Sequence, residues 1–138
     1  MSTKLIYPDL SYKLRGAMFN VYNNLGFGHK ELVYQRALGK ELTKLGVEYK
    51  REPKLKIEYD GDQVGVYRPD FLVEDKVIIE LKSARVFPVN LDRQLVNYLK
   101  VTGYKLALAA NFGQSKLEIR RRIWTRNRIS VKSVSKSV

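Results

Sequence analysis

The sequence predicts an α/β fold, and three observations predict it. Apolar residues recur at helical spacing from Leu10 to Leu45. After Gly46 the pattern changes to the two-residue alternation of strands, Val47-Glu48-Tyr49-Lys50 and Leu55-Lys56-Ile57-Glu58-Tyr59. A helical stretch then returns between Asn90 and Gly103, followed by the apolar run Tyr104 to Ala110. The expected order is two helices, a mixed sheet, a third helix, one more strand and a basic end, without internal repeats.

In the first helix Leu14, Met18, Val21 and Leu25 share a face, and Gly26 is the expected stop. The second runs from about His29 to Leu45 with Leu32, Ala37, Leu38, Leu42 and Leu45 inward and Gly46 as its stop. The short link between them implies that the two helices pack as neighbours. Asp60-Gly61-Asp62 is a turn signal, which makes residues 55–67 a hairpin. Asp70 to Val73 and Val77 to Lys82 form the next pair of strands. Asn90 is placed to N-cap a helix that reaches Thr102 and closes at Gly103. Tyr104 to Ala110 breaks at Asn111-Phe112-Gly113, and Ile119, Ile123 and Trp124 offer an apolar side for a last helix or strand.

A chain of 138 residues, 44% hydrophobic and 29% charged, is long enough for one domain with a real core. Its charge is unusual: 26 Lys and Arg against 14 Asp and Glu give +12. Such a field suits a polyanion, nucleic acid first and an anionic membrane surface second. Structural RNA-binding proteins share this composition, so charge alone does not make an enzyme. The absence of cysteine excludes disulfides and Cys-based zinc sites and fits a reducing compartment. The start MSTKLIYPDL has no apolar signal core, and no apolar run approaches the roughly 20 residues of a membrane span. A soluble, cytoplasmic protein is expected. The domain is expected over residues 1–126, and residues 127–138 read as a flexible basic tail.

The stretch Arg68-Pro69-Asp70-Phe71-Leu72-Val73-Glu74-Asp75-Lys76-Val77-Ile78-Ile79-Glu80-Leu81-Lys82 raises the chemical question. A three-residue loop at Glu74-Asp75-Lys76 pairs Val73 with Val77, Leu72 with Ile78, Phe71 with Ile79 and Asp70 with Glu80. Opposed residues share a face with Cβ atoms about 4.5–5.5 Å apart, and Lys82 follows on that face. A one-residue slip would mix charged and apolar faces, so the pattern favours this register. Two carboxylates this close repel unless a cation lies between them. That cation is either Lys82, giving a structural ion pair, or a hard ion such as Mg²⁺, which accepts one or two carboxylates. In the second case the lysine would help position or deprotonate the attacking water and stabilise charge on a phosphate. Glu-x-Lys also occurs at Glu48, Glu52 and Glu74, in contexts where charges are solvated. Only Glu80-Leu81-Lys82 follows a buried run.

Pro69-Asp70 followed by Glu80-Leu81-Lys82 resembles the signature of the PD-(D/E)XK nuclease superfamily. Gly28-His29-Lys30-Glu31-Leu32-Val33-Tyr34 resembles the G-x-x-E-x-x-Y motif of its GxxExxY protein family. The Leu25–Gly28 link, the RPDFLV strand, the Gln94 to Leu99 helix and the Asn111-Phe112-Gly113 break are also similar, so the resemblance covers residues from about 10 to 124. It implies a PD-(D/E)XK nuclease-like mixed central sheet flanked by helices. It also implies Asp70 and Glu80 as carboxylates for Mg²⁺ (or Mn²⁺), the Leu81 carbonyl as a further ligand, Glu31 as an additional acid, and Lys82 as the catalytic lysine. Gln94 and Tyr98 resemble the Q-x-x-x-Y pair of RecB-like nucleases, where they would hold a strand backbone or order the site. Tyr34 is expected to pack. His29 and Lys30 depart from the apolar residues usual there, and His29, the single histidine, is expected at the surface of a helix start.

The sequence thus leads to a metal-dependent nuclease with DNA as the expected nucleic-acid substrate, a possible homodimer and no membrane partner. Arg68, Arg85, Arg93, Arg120, Arg121, Arg122, Arg126 and Arg128 are the expected phosphate contacts. The rivals are a nucleic-acid-binding module on a nuclease fold that does not cut, and a basic protein-interaction domain.

Overall fold

The computed structural model describes residues 6–125. Arg126, Arg128 and the tail lie outside the described residues. Two helices open the chain, α1 (Pro8–Leu25) and α2 (Glu31–Leu45). Pro8 suits the first turn, where its missing N–H is not needed. Gly26, at φ 76°, ends α1 by donating its N–H to the Tyr22 carbonyl at 2.8 Å. Along α2 the buried face is Tyr34, Gln35, Leu38, Gly39 and Leu42. Leu32 and Leu45, expected inward, are 46% and 41% exposed. Leu32 sits about 120° round the helix from Leu38, and Leu45 lies in the last turn, where Gly46 leads the chain away.

Strand β1 (Tyr49–Arg51) begins two residues later than the alternation suggested. Then β2 (Leu55–Tyr59) and β3 (Asp62–Tyr67) form the expected hairpin. Asp60 and Gly61 both have positive φ, the signature of a two-residue turn that matches strand twist. This hairpin stands apart as its own two-stranded sheet.

The central sheet has the order β1-β4-β5-β6-β7, with β4 (Phe71–Val73), β5 (Val77–Lys82), β6 (Leu106–Asn111) and β7 (Glu118–Ile123). Its β5–β6 pair is parallel and the others antiparallel. The β4–β5 register is Phe71–Ile79, Leu72–Ile78 and Val73–Val77, as the turn length required. A parallel neighbour needs a crossover, and α3 (Leu91–Thr102) provides it, burying Leu91, Leu95 and Leu99. Asn90 stands before α3, but its side chain makes no cap. Its ψ of 9° is a turn conformation, and Leu91 instead donates to the Pro88 carbonyl. The last apolar stretch is the strand β7. Ile119 and Trp124 pack against the cores, while Ile123 is 41% exposed at the edge.

The architecture is a mixed α/β fold with a central sheet flanked by helices. One core lies between α1, α2 and the sheet face carrying Phe71, Val77, Ile79, Leu81 and Leu108. The other lies between α3, the β2–β3 hairpin and the face carrying Leu72, Ile78, Ala107 and Ala109. Val77, Ile78, Ile79 and Leu81 of β5 are at most 1% exposed, so this strand is buried on both faces. Among the described residues no helix is long and apolar enough to cross a membrane.

Candidate active site

Pro69 precedes Asp70 and has no N–H to extend the ladder, so β4 starts at Phe71. The Asp70 side chain takes over where the strand is missing: its Oδ2 accepts the Leu81 N–H at 2.7 Å. Its Oδ1 accepts from Gln35 Nε2 at 2.8 Å, across from α2. The Asp70 carbonyl accepts the Glu52 N–H at 2.9 Å. Along a strand the N–H and C=O of one residue point to the same edge. The Leu81 carbonyl is therefore directed to the edge where Asp70 stands, while the Lys82 carbonyl accepts from Phe112 N–H at 2.8 Å on the other side.

Glu80 and Lys82 lie on the α3 face of β5, both half-buried at its C-terminal end. Tyr67 Oη donates to Glu80 Oε2 at 2.5 Å. Its ring is stacked on Tyr98, with centroids 3.6 Å apart and planes 4° from parallel. Burial pushes the Glu80 carboxyl up to about 7; the Tyr67 hydrogen bond and Lys82 pull it down, and Asp70 raises it further. Burial, followed by the Glu80 charge, holds the Tyr67 phenol well above its ordinary value. The structure thus brings Asp70 and Glu80 together, as the hairpin register required.

Glu31 starts α2 and is exposed. Its Oε2 accepts the Ser83 N–H at 3.4 Å, one residue beyond Lys82, so it stands at the rim. Among the described residues no three His, Cys, Asp or Glu side chains are grouped to hold a metal ion. Two carboxylates and a carbonyl are nonetheless a hard-oxygen donor set that suits Mg²⁺, which accepts one or two carboxylates and keeps its waters.

The Gly28–Tyr34 motif builds the wall beside this end of β5. Gly28 N–H donates to the Phe112 carbonyl at 3.0 Å, and Ser83 Oγ donates to the His29 carbonyl. Tyr34 is fully buried; it donates to the Gly26 carbonyl at 2.7 Å and stacks on Phe112 at 4.3 Å. His29 is exposed, with its Nε2 at 2.9 Å from the Leu25 carbonyl. Asn111 clamps the exit of β5: its Oδ1 accepts from both Ala84 N–H and Gly113 N–H at 3.0 Å.

The other expected residues are distributed around this end and beyond it. Gln94, Arg85 and Arg93 are exposed. Tyr98 contacts the site through Tyr67. Arg68 pairs with Glu52 at 3.1 Å. On β7, Arg120 pairs with Asp92 and Glu118 and lies over the Phe87 ring, and Arg122 pairs with Asp92 at 2.9 Å. Arg121 projects to the α1 side, beside Ser11 and Arg15. A groove of about 700 Å³ beside Glu74 and Asp75 lies at the turn end of the β4–β5 hairpin, away from these carboxylates.

Sequence reasoning missed Gln35 and Tyr67. Gln35 left a signal, since it lies one turn after Glu31 on the face of α2 that carries Leu38 and Leu42. Tyr67 left none, because its contact with Glu80 depends on how the hairpin packs.

The buried strand β5 thus ends in a carboxylate and a lysine, with a second carboxylate at its edge. A family model describing the PD-(D/E)XK nuclease superfamily matches residues 8–122, and the chain belongs to that superfamily. No curated protein matches the sequence. Among solved structures it is similar to the crystal structure of SSO0001, with 12% identity and a TM-score of 0.47 over 93% of this chain and 84% of that one.

Proposed function

We propose that this protein is a Mg²⁺- or Mn²⁺-dependent nuclease that hydrolyses phosphodiester bonds in DNA, and that it belongs to the GxxExxY branch of its superfamily. The observation that carries the reading is the meeting of Asp70 and Glu80 beside Lys82 at the end of β5. Two carboxylates held this close at a half-buried site favour a cation between them. Asp70, Glu80 and the Leu81 carbonyl would hold the ion, with Glu31 assisting from the rim.

When bound, the metal supplies Lewis-acid stabilisation of charge at the scissile phosphate. The chain supplies the rest. Lys82 orients the attacking water and offsets the negative charge that grows on the phosphate. Gln35 and the Leu81 N–H fix the Asp70 carboxylate, and Tyr67 fixes Glu80, so their oxygens need little reorganisation. Gln94, with Arg68, Arg85 and Arg93, lines the approach, and the basic end of the chain, Arg126 and Arg128 included, adds salt-sensitive phosphate affinity. Residues 1–126 act as one domain, a homodimer being compatible with it, in a cytoplasmic setting.

The test is cleavage of linear, nicked, branched and single-stranded DNA and RNA in Mg²⁺, Mn²⁺ or EDTA, beside Lys82→Ala and Asp70→Asn. Metal-dependent cutting lost in both variants is expected. Full cutting by Lys82→Ala would end the role given to that residue. Equal binding without cutting in all three proteins would leave a binding module.

A further inference from the structure

Not all of the basic residues that stand out in the sequence are left available by the fold. Arg120 and Arg122 of β7 are engaged with Asp92, and Arg120 also with Glu118. On α2, by contrast, Arg36 and Lys40 are exposed and make no ion pair among the described residues. Lys44 continues their line and is 72% exposed, paired with Glu41 at 3.3 Å. These three follow each other at four-residue intervals, which sets a cation about every 6 Å along one side of the helix.

That side borders a groove of about 610 Å³ between α2 and β1, whose opposite wall is Tyr49 and Arg51. Gly39 forms the close approach between helix and strand, where a Cβ would stand 3.5 Å from Tyr49 Oη. Four of the residues lining the groove are cations and none is a carboxylate. The groove is joined to the catalytic end of the molecule by hydrogen bonds. Arg51 Nη2 donates to Gln35 Oε1 at 2.8 Å, and Gln35 Nε2 donates to Asp70 Oδ1 at 2.8 Å. Arg51 keeps further N–H donors for a ligand, because a guanidinium has five.

We infer that the groove between α2 and β1 is the track that holds the sugar–phosphate backbone of the nucleic-acid substrate, a deduction that rests on the nucleic-acid reading above. Arg36, Lys40 and Lys44 neutralise successive stretches of the backbone, and Arg51 holds it where the groove meets the Asp70 edge. Exposed lysines on a helix are ordinarily solvated. This row differs because Arg51 faces it from the opposite wall and because Arg51 is linked through Gln35 to Asp70. Arg120 and Arg122 of β7 then serve mainly to tie α3 to the sheet edge.

The experiment measures binding of labelled duplex and single-stranded DNA by the full-length protein in EDTA, between about 50 and 200 mM salt. The Arg36→Gln/Lys40→Gln protein is compared with Lys13→Gln/Lys105→Gln, which removes equal charge from exposed positions outside the groove. The slope of log affinity against log salt is expected to fall by about 1.8 for duplex and about 1.4 for single strand in the groove variant only. Lys40→Gln alone should give about half of that. An unchanged slope in the groove variant, or an equal fall in both double variants, would overturn the proposal. So would groove-dependent binding of polyglutamate without binding of DNA, which would indicate an acidic protein partner. Cleavage is scored separately: a groove effect without cutting overturns the nuclease reading and leaves the track, and cutting without a groove effect does the reverse.

Discussion

Tyr67 and Glu80 are joined by a 2.5 Å hydrogen bond between two separate sheets, the β2–β3 hairpin and the central sheet. The phenol is held from behind by the stacked Tyr98 ring. The proposed metal carboxylate is thus oriented from outside its own strand. Tyr67→Phe keeps the stack and removes only the donor. A hydrogen bond to a charged group contributes about 1.5–3 kcal/mol, so Mg²⁺ affinity or kcat/KM should fall by about 10- to 100-fold, and thermal stability should fall as well. Mg²⁺ titration calorimetry and steady-state cleavage read the two effects.

Glu80 also sets a pH dependence. Its carboxyl is raised from the ordinary 4.5 to about 7, mainly by burial. A raised acid stabilises the metal-free fold below the lower value and loses that contribution as pH climbs through the higher one. The shift corresponds to roughly 3 kcal/mol. In EDTA, Glu80→Gln should therefore melt several degrees above the unmodified protein at pH 8 and match it near pH 4. Equal melting temperatures at pH 8 would refute the claim.

The same proton competes with a cation. Mg²⁺ binding below pH 7 should release close to one proton and weaken as pH falls. Calorimetry in two buffers of different ionisation enthalpy measures the release, and Glu80→Gln should abolish it.

Gln35 is 4% exposed and bonds to Asp70, Glu52 and Arg51 at once. Gln35→Leu leaves Asp70 Oδ1 and Arg51 without this partner. A loss of about 1–3 kcal/mol is expected, together with weaker Mg²⁺ binding. Urea unfolding measures the first and calorimetry the second.

Gly113 has no room for a side chain: a Cβ there would lie 2.2 Å from the Ala84 carbonyl oxygen and 2.3 Å from its nitrogen. Both obstacles are backbone, in the loop leaving Lys82 and clamped by Asn111. Gly113→Ala should lose about 3 kcal/mol or more of stability, and cleavage should drop through displacement of Lys82. Melting of Gly113→Ala at the unmodified temperature would show that the loop yields.

What the sequence revealed and what it hid have a common physical basis. The Asp70–Glu80 meeting was legible because a short hairpin fixes register locally, and the apolar pattern allowed one pairing. Helix ends at Gly26, Gly46 and Gly103 were legible for the same reason, since each needs a backbone state that glycine adopts readily. Leu32 was misplaced because an apolar residue does not announce which side of a helix meets a sheet. The Tyr67 contact and the pairing of Asp92 with Arg120 and Arg122 were illegible, because they join elements whose packing no local pattern encodes.

The position of β5 has a consequence for motion. Its residues up to Leu81 are shared by both cores, so its backbone amides should exchange with solvent only when the whole fold opens. The groups at its end that are proposed to react then ride on the slowest-breathing segment of the molecule. Arg85, Val86, Pro88, Val89 and Asn90 and the hairpin tip at Asp60-Gly61 are exposed and lie outside both cores. Deuterium uptake would divide the protein in two: a fast-labelling periphery, and a strand whose labelling rate reports global stability.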